Sequence, residues 1–227
     1  MRIGIIVAMD KEFVQLKSLL TDQRAACHNG RDFVEGRMGE HDIMMQQCGI
    51  GKVNSAVGAV EMIHAYHPDL IISSGCAGGA DTSLEVGDVV VASACAYHDA
   101  YCGSEVAYGQ IIGMPARFTA DPSLVDKALR MDCDTHVVSG LTVSGEWFVD
   151  SREKMRSILE HFPEAMAVDM ESTSIAQTCH IYGVPFVSFR IISDVPLKDH
   201  KASQYFDFWS RMAEGSFDVT RHFLLSI

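Results

Sequence analysis

Long apolar runs and an excess of positive charge are both missing from this sequence. No apolar stretch approaches the roughly 20 residues that span a bilayer, and the opening MRIGIIVAMDKE has an acid too early for a signal peptide. We therefore expect a mature, soluble, cytoplasmic protein with no membrane partner. Lysine and arginine number 18 against 30 aspartate and glutamate, a formal net charge of -12 at pH 7. Because such a surface repels phosphate backbones, nucleic acid is not an expected partner.

Paired cysteine motifs are also missing. The seven cysteines are odd in number and contain no Cys-x-x-Cys pair, which argues against a disulfide framework and for a reducing compartment. Cys95, His98 and Cys102 lie close in sequence, so a metal site is one interpretation. A fourth ligand is not evident, and buried, inert thiols are the simpler interpretation. We expect no metal and no cofactor.

The composition that is present is that of an ordinary globular protein. Of 227 residues, 48% are hydrophobic, 21% charged and 8% aromatic, which predicts one core and a single domain over residues 1–227. Strand patterns alternate with helical spacing, which predicts a single-domain, three-layer α/β/α fold around a mixed, mostly parallel sheet. Residues 100–120 lack periodicity and are expected to form a long loop. The predicted strands are 2–8, two within 31–48 around Gly39-Glu40, 70–79, 86–99, 136–144, 165–170 and 184–192, and the predicted helices are 11–20, 52–66, 122–131, 151–160, 172–182 and 203–225.

Several polar residues follow directly on predicted strands, where ligands bind in such sheets. Taken singly, Glu12 and Glu171 fit helix starts, where an acid is favoured by the helix dipole. The functional interpretations are a general base and an acceptor for sugar hydroxyls. Asp194 closes a strand that contains Arg190, and a buried arginine needs a carboxylate or a ligand as its partner. A structural ion pair is the alternative at that point.

The turn SSGCAGG at 73–79 is glycine-rich but matches neither of the two common phosphate-binding patterns. Its glycines more simply let the backbone approach a flat or sugar-like ligand. Cys76 lacks an obvious histidine partner, so a nucleophilic cysteine is the weaker hypothesis. Phe148 follows another strand and fits either a core position or a stacking face for a base.

Eight ordered stretches carry a family resemblance that no single motif could. They resemble the nucleoside phosphorylase superfamily and, within it, the 5′-methylthioadenosine/S-adenosylhomocysteine nucleosidases, almost continuously from residue 3 to about 208. The stretches are GIIVAMDKE (4–12), GIGKVNSA (49–56), SSGCAGG (73–79), VGDVVVAS (86–93), YHDA (97–100), VSGEWFV (143–149), AVDMES (167–172) and RIISDV (190–195).

The resemblance implies a homodimeric hydrolase that cleaves the bond between adenine and ribose of a small nucleoside, in methionine salvage and in clearing the product of methyl transfer. It implies that Asp194 protonates adenine N7, that Glu12 activates water, and that Glu171 with Met170 holds the ribose hydroxyls. Ser193 and Arg190 are expected to support Asp194 and Glu171. The other implied substrate contacts are Phe148 stacking on adenine, the Val149 backbone at its edge, and Met9, Ile50, Cys76, Ala77, Gly78 and Phe206. Ile50 and residues 101–115 are expected to line the pocket for the 5′ tail, completed by a second subunit.

Alternatives remain open within and outside the superfamily. A purine or uridine phosphorylase needs arginines for phosphate, whereas Glu12 and Ser73, an arginine in bacterial purine phosphorylases, favour water. A futalosine-type nucleosidase differs mainly in the tail, and a binding module without catalysis has no need of three carboxylates. The sequence departs from the family at 101–106 and 204–208, and with Cys76 and Asp169 in place of a common serine and glutamate. The tail preference therefore stays open.

Overall fold

The computed structural model describes residues 1–198, 208 and 217–227. The strands are β1 (Arg2–Val7), β2 (Thr21–His28), β3 (Arg31–Met38), β4 (His41–Gln47), β5 (Leu70–Gly79), β6 (Val89–Tyr97), β7 (Phe118–Thr119), β8 (Val137–Ser144), β9 (Ala165–Asp169) and β10 (Phe186–Asp194). The helices are α1 (Asp10–Ser18), α2 (Lys52–Tyr66), α3 (Pro122–Leu129), α4 (Arg152–Leu159), α5 (Ser172–Tyr182) and α6 (Asp218–Ser226).

The strands form a mixed sheet that closes partly on itself. Its order is β10-β6-β8-β9-β5-β1-β4-β3-β2, and β10 also pairs with β5, so five strands complete a ring. The pairings β4–β1–β5–β10 and β6–β8–β9 are parallel, whereas β10–β6, β5–β9 and β2–β3–β4 are antiparallel. The parallel strands end near one another, which gathers the residues that follow them at one edge of the sheet.

The first strand shows why the predicted fold class is correct. Ile3 and Ile5 are buried in a core shared with α1, α3 and α6, whereas Ile6 faces a second core formed with α2 and α5. A Cβ on Gly4 would lie 2.8 Å from Met62 Cγ, so α2 packs directly on the strand. Burial on both faces explains the unbroken apolar run. The expected α/β fold with helices on both faces of a mixed sheet is confirmed.

The element predictions differ from the structure mainly at the sheet edge. Strand β2 was not predicted, because its sequence TDQRAACH is largely exposed and pairs only with β3, so it carries no apolar periodicity. The two strands predicted within 31–48 are confirmed, with Gly39 in the turn at φ 56°. Most of the predicted helix 203–225 lies outside the described residues, and α6 covers its end.

The predicted loop over 100–120 is interrupted at its end by the short strand β7. Among the described residues, no helix combines the length and the apolar character that a membrane span requires.

Candidate active site

An open pocket of about 650 Å³ lies at the ends of β1, β5, β8, β9 and β10. Every predicted site residue except Arg190 and Phe206 contributes to its wall, and Phe206 lies outside the described residues. Ala8, Trp147, Val168 and Asp169 also line the pocket although they were not predicted as site residues. The full lining is Ala8, Met9, Glu12, Ile50, Cys76, Ala77, Gly78, Trp147, Phe148, Val149, Val168, Asp169, Met170, Glu171, Ser193 and Asp194.

Glu12 is held rigidly from three sides. It lies in the first turn of α1, where its Oε2 accepts the backbone N–H groups of Ala8 and Met9 at 3.0 and 2.9 Å. Its Oε1 accepts the backbone N–H of Cys76, at 3.0 Å, from β5. Burial raises the pKa of Glu12, and these N–H groups act in the opposite direction. Glu12 therefore stabilises the helix start and also presents an oriented carboxylate to the pocket.

Glu171 is buried at the start of α5. The helix N terminus is capped instead by Asp169, which accepts the backbone N–H of Ser172 at 3.1 Å. Glu171 Oε1 accepts the backbone N–H of Gly51 at 2.9 Å. Burial, followed by the nearby charge of Asp169, raises the pKa of Glu171 to about 7. Glu171 thus lies at the helix start, but its carboxylate bonds to the loop before α2 and not to the N–H groups of α5.

Asp194 ends β10 at the wall of the pocket. Burial raises the pKa of Asp194 to about 6, while a hydrogen bond from Ser193 acts in the opposite direction. The Ser193 hydroxyl lies 2.7 Å from Asp194 Oδ1 and 3.2 Å from the Ala77 carbonyl oxygen. The serine hydroxyl therefore links the carboxyl group to the end of β5.

Arg190 has a different direct partner from the one expected. Its Nε donates to Asp169 Oδ2 at 2.5 Å, and its Nη2 donates to the Ser73 hydroxyl at 2.7 Å. Its charge reaches Glu171 only over a longer distance, where it lowers the pKa of that group. The structural ion pair considered as an alternative is thus present, and Arg190 supports Glu171 indirectly.

Asp169 was missed as the centre of this network. It is 6% exposed and accepts the hydroxyls of Ser144 and Ser172, both at 2.5 Å, in addition to Arg190. The available signal was Arg190 itself, because a buried guanidinium requires a carboxylate nearby. The side chains of Glu12, Asp169 and Glu171 are called the pocket floor below.

The opposite side of the pocket is apolar and open. Ile50, Trp147 and Phe148 are 51%, 44% and 56% exposed, and we call them the pocket mouth. Phe148 is therefore not a core residue, which leaves the stacking interpretation. Residues 101–115 do not contribute to the described wall of this pocket, and Tyr101 and Ile112 in that loop are exposed.

Two other hypotheses lose support from the geometry. Burial, followed by the charge of Glu12, raises the pKa of the Cys76 thiol well above its usual range, so a thiolate nucleophile is disfavoured. Within residues 1–198, 208 and 217–227, no three His, Cys, Asp or Glu side chains group as metal ligands. Cys95, His98 and Cys102 thus do not form such a site.

The profile of the Phosphorylase superfamily matches residues 2–224. The chain belongs to this superfamily. Within the Phosphorylase superfamily, it is 42% identical over 196 residues to the 5′-methylthioadenosine/S-adenosylhomocysteine nucleosidase of Staphylococcus saprophyticus, covering 85% of this chain and 86% of that relative. The family predicted from the ordered motifs is therefore confirmed.

Solved structures of the Phosphorylase superfamily agree closely with this one. The 5′-methylthioadenosine/S-adenosylhomocysteine nucleosidase of Neisseria meningitidis, in complex with methylthio-immucillin-A, matches with a TM-score of 0.92 at 33% identity, over 100% of this chain and 99% of the other. The futalosine hydrolase of Helicobacter pylori matches with a TM-score of 0.90 at 26% identity, over 100% and 98%.

Proposed function

We propose that this protein is an N-glycosyl hydrolase that releases adenine from 5′-methylthioadenosine and S-adenosylhomocysteine. The observation that carries the proposal is the meeting of Glu12, Glu171 and Asp194 in one pocket of a chain 42% identical to a nucleosidase of that name. The products are adenine and the corresponding 5′-thioribose, which places the reaction in methionine salvage and in the clearance of the product of methyl transfer.

Asp194 acts as the general acid. As the bond between C1′ and N9 breaks, its electron pair moves to adenine, and the carboxyl proton of Asp194 goes to N7. With its pKa at about 6, Asp194 keeps a protonated fraction near neutral pH, which an ordinary exposed aspartate does not. Neutralising the departing base lowers the barrier where negative charge develops.

Glu12 acts on the attacking water. The water oxygen bonds to C1′ as its proton passes to Glu12, so one water is consumed for each adenine released. The backbone N–H groups that hold both carboxylate oxygens leave Glu12 little freedom to rotate, which favours a constant attack geometry. Glu171 accepts hydrogen bonds from the ribose hydroxyls, and Met170 packs beside the sugar.

The base lies against the pocket mouth. Phe148 offers an exposed aromatic face for stacking on adenine, and the neighbouring Val149 backbone reads the edge of the base. Met9, Ile50, Cys76, Ala77 and Gly78 complete the substrate contacts, to which we add Phe206 on the strength of the sequence resemblance.

Hydrolysis is favoured over phosphorolysis by the charges around the sugar. Ser73 accepts from Arg190, and Arg190 is already paired with Asp169. A phosphate dianion would therefore meet the carboxylates of the pocket floor, and Arg190 would not be available to bind it. A futalosine-type substrate is the second candidate, because a futalosine hydrolase shares this fold.

A homodimer is part of the proposal. Val53 and Val57 lie one turn apart on α2 and are 75% and 38% exposed, beside the exposed Ile50. Covering such an apolar stripe with a second copy would also let residues 101–115 of that copy complete the tail pocket.

We further propose one domain over residues 1–227 and a cytoplasmic location, which suits cysteines that are all free.

The direct test is adenine release from 5′-methylthioadenosine with and without phosphate, with the sugar product identified. Release without phosphate, together with a free reducing sugar, is the expected result. Release only with phosphate, giving a sugar 1-phosphate, would replace the proposal by a phosphorylase. Parallel assays with S-adenosylhomocysteine and futalosine compare the preference of the enzyme for each 5′ substituent. Light scattering of the wild-type protein and of Val53→Asp tests the dimer.

A further inference from the structure

The loop that leads into α2 at Lys52 and the loop that contains Glu146 are joined by a closed ring of hydrogen bonds, in which Asp99, just after β6, is the third member. Lys52 Nζ donates to both carboxylate oxygens of Asp99 at 2.9 Å. Asp99 Oδ2 accepts the backbone N–H of Glu146 at 2.8 Å, and Glu146 Oε1 accepts the backbone N–H of Lys52 at 2.7 Å. Each loop therefore contributes both a side chain and a backbone group. We call these three residues the clamp.

The ion pair in the clamp is shielded from water. The side chains of Lys52 and Asp99 are 28% and 10% exposed, so their attraction is screened less than that of a surface pair. The Lys52 ammonium group also lies 5.3 Å from the centre of the Tyr97 ring, within the range of a cation–π contact. These contacts hold Lys52 at a defined position at the start of α2.

The backbone conformation and the space at position 51 both favour glycine. Its φ of 95° is a conformation that side-chain-bearing residues rarely adopt, and a Cβ there would lie 2.7 Å from Glu146 Oε2. With no side chain at Gly51 to cap α2, Glu146 supplies a carboxylate at this helix N terminus, where the dipole favours negative charge. Glu146 therefore lies against Gly51 and holds the backbone of the next residue, Lys52.

Both clamped loops contact the pocket. On one loop, Gly51 donates its N–H to Glu171 Oε1 at 2.9 Å, and Ile50 belongs to the pocket mouth. On the other loop, Trp147 and Phe148 follow Glu146 directly and form the rest of the mouth. The His98 ring packs against Trp147 with centroids 5.3 Å apart, which further restricts the indole. The clamp thus connects the sugar side of the pocket with the base side.

We propose that the clamp is a positioning device for the reaction: it holds the Gly51 N–H against Glu171 while it places Trp147 and Phe148 beside the base. Lys52, Asp99 and Glu146 are positioning residues, because they act through these neighbours and none of them lines the described pocket wall. This inference rests on the proposed function, since Glu171 is there assigned to the ribose hydroxyls.

The test measures kcat and KM for 5′-methylthioadenosine in Lys52→Met, Asp99→Asn, Glu146→Ala and Glu146→Gln. We expect KM to rise about 10- to 100-fold in the first three variants with kcat changed only a few-fold, because misplacing Glu171 and Phe148 weakens substrate and transition state alike. Glu146→Gln should recover most of the loss of Glu146→Ala, since its amide oxygen still accepts the Lys52 N–H. The double variant Lys52→Met/Asp99→Asn should lose no more than the worse single variant.

The control is Asp126→Asn, which breaks the exposed ion pair with Arg130 on α3 and should leave KM unchanged. A purely structural role would reduce the fraction of folded protein, lowering apparent kcat while KM stays the same. KM values within twofold of wild type in all clamp variants would overturn the proposal if the wild-type protein releases adenine. A wild-type protein that releases no adenine would instead overturn the proposed function, and the clamp proposal with it.

Discussion

The pocket floor and the pocket mouth face the same cavity, but their side chains have opposite surroundings. Glu12, Asp169 and Glu171 are 2%, 6% and 8% exposed and bond to backbone groups or to buried side chains. The three mouth residues are about half exposed and apolar. The floor is placed by strand ends and helix starts, whereas the mouth is carried on loops.

This difference separates two tasks of the site. Chemistry at C1′ requires charges held in fixed positions at the moment the bond breaks, which a buried and fully bonded floor supplies. Recognition of a base and a 5′ tail requires apolar area that a ligand can cover, which an open mouth supplies. Substitutions in the floor should therefore affect turnover or stability strongly, and substitutions in the mouth should affect affinity moderately.

The largest effect is expected from Asp194→Asn. Because the amide cannot donate a carboxyl proton to N7, turnover should fall roughly 10²- to 10⁴-fold, the usual scale for general acid catalysis. Steady-state release of adenine measures the loss, and Asp126→Asn on the exposed face of α3 is the matched control. Wild-type turnover in Asp194→Asn would remove Asp194 from the mechanism.

Asp169→Ala should cost about 3–5 kcal/mol in the free energy of unfolding, because it leaves the buried guanidinium of Arg190 without its carboxylate. Urea denaturation measures this change. Asp126→Ala breaks an exposed pair and should cost less than about 1 kcal/mol. Equal costs in the two variants would show that the floor gains nothing from its burial.

The pH dependence of the unfolding free energy should also reveal the burial of Asp194 at the pocket wall. Folding raises the pKa of Asp194 to about 6, so the folded state binds its proton more tightly than the unfolded state does. The stabilisation from this proton is complete only below the unfolded pKa of about 4 and is lost as pH rises through about 6, a change of up to about 3 kcal/mol. The decline should be smaller by this amount in Asp194→Asn, and the part that remains belongs to other raised groups such as Glu171. A decline of equal size in the variant would assign it to other groups, such as Glu171.

The smallest effect is expected at the mouth. Phe148→Ala should raise KM for 5′-methylthioadenosine about 10-fold, because stacking on a base contributes roughly 1–3 kcal/mol, while kcat changes little. The same variant should leave the unfolding free energy almost unchanged, since the side chain is 56% exposed. A large loss of kcat without a change in KM would show that Phe148 acts on the chemistry and would break the division between mouth and floor.

Sequence reasoning found most of the candidate site because strand ends in α/β sheets converge on one edge. It singled out Glu12, Glu171 and Asp194 from their positions after apolar runs, and all three line the described pocket. It missed Asp169 as the partner of Arg190, because a spacing of 21 residues along the chain carries no information about a contact between β9 and β10, which do not pair with each other. It missed β2 because an exposed edge strand has no apolar pattern.

The sequence by itself determined the alternation of strands and helices, the family, and the identity of the carboxylates, since these depend on local periodicity and on ordered motifs. Only the tertiary structure decided which carboxylate is saturated by Arg190 and two serines, which one bonds to Gly51, and which one bonds to the Ser193 hydroxyl at the pocket wall. The physical reason is that burial and hydrogen-bond partners arise from packing between segments far apart in the chain. Chemically identical groups therefore acquire different properties only once the sheet has formed.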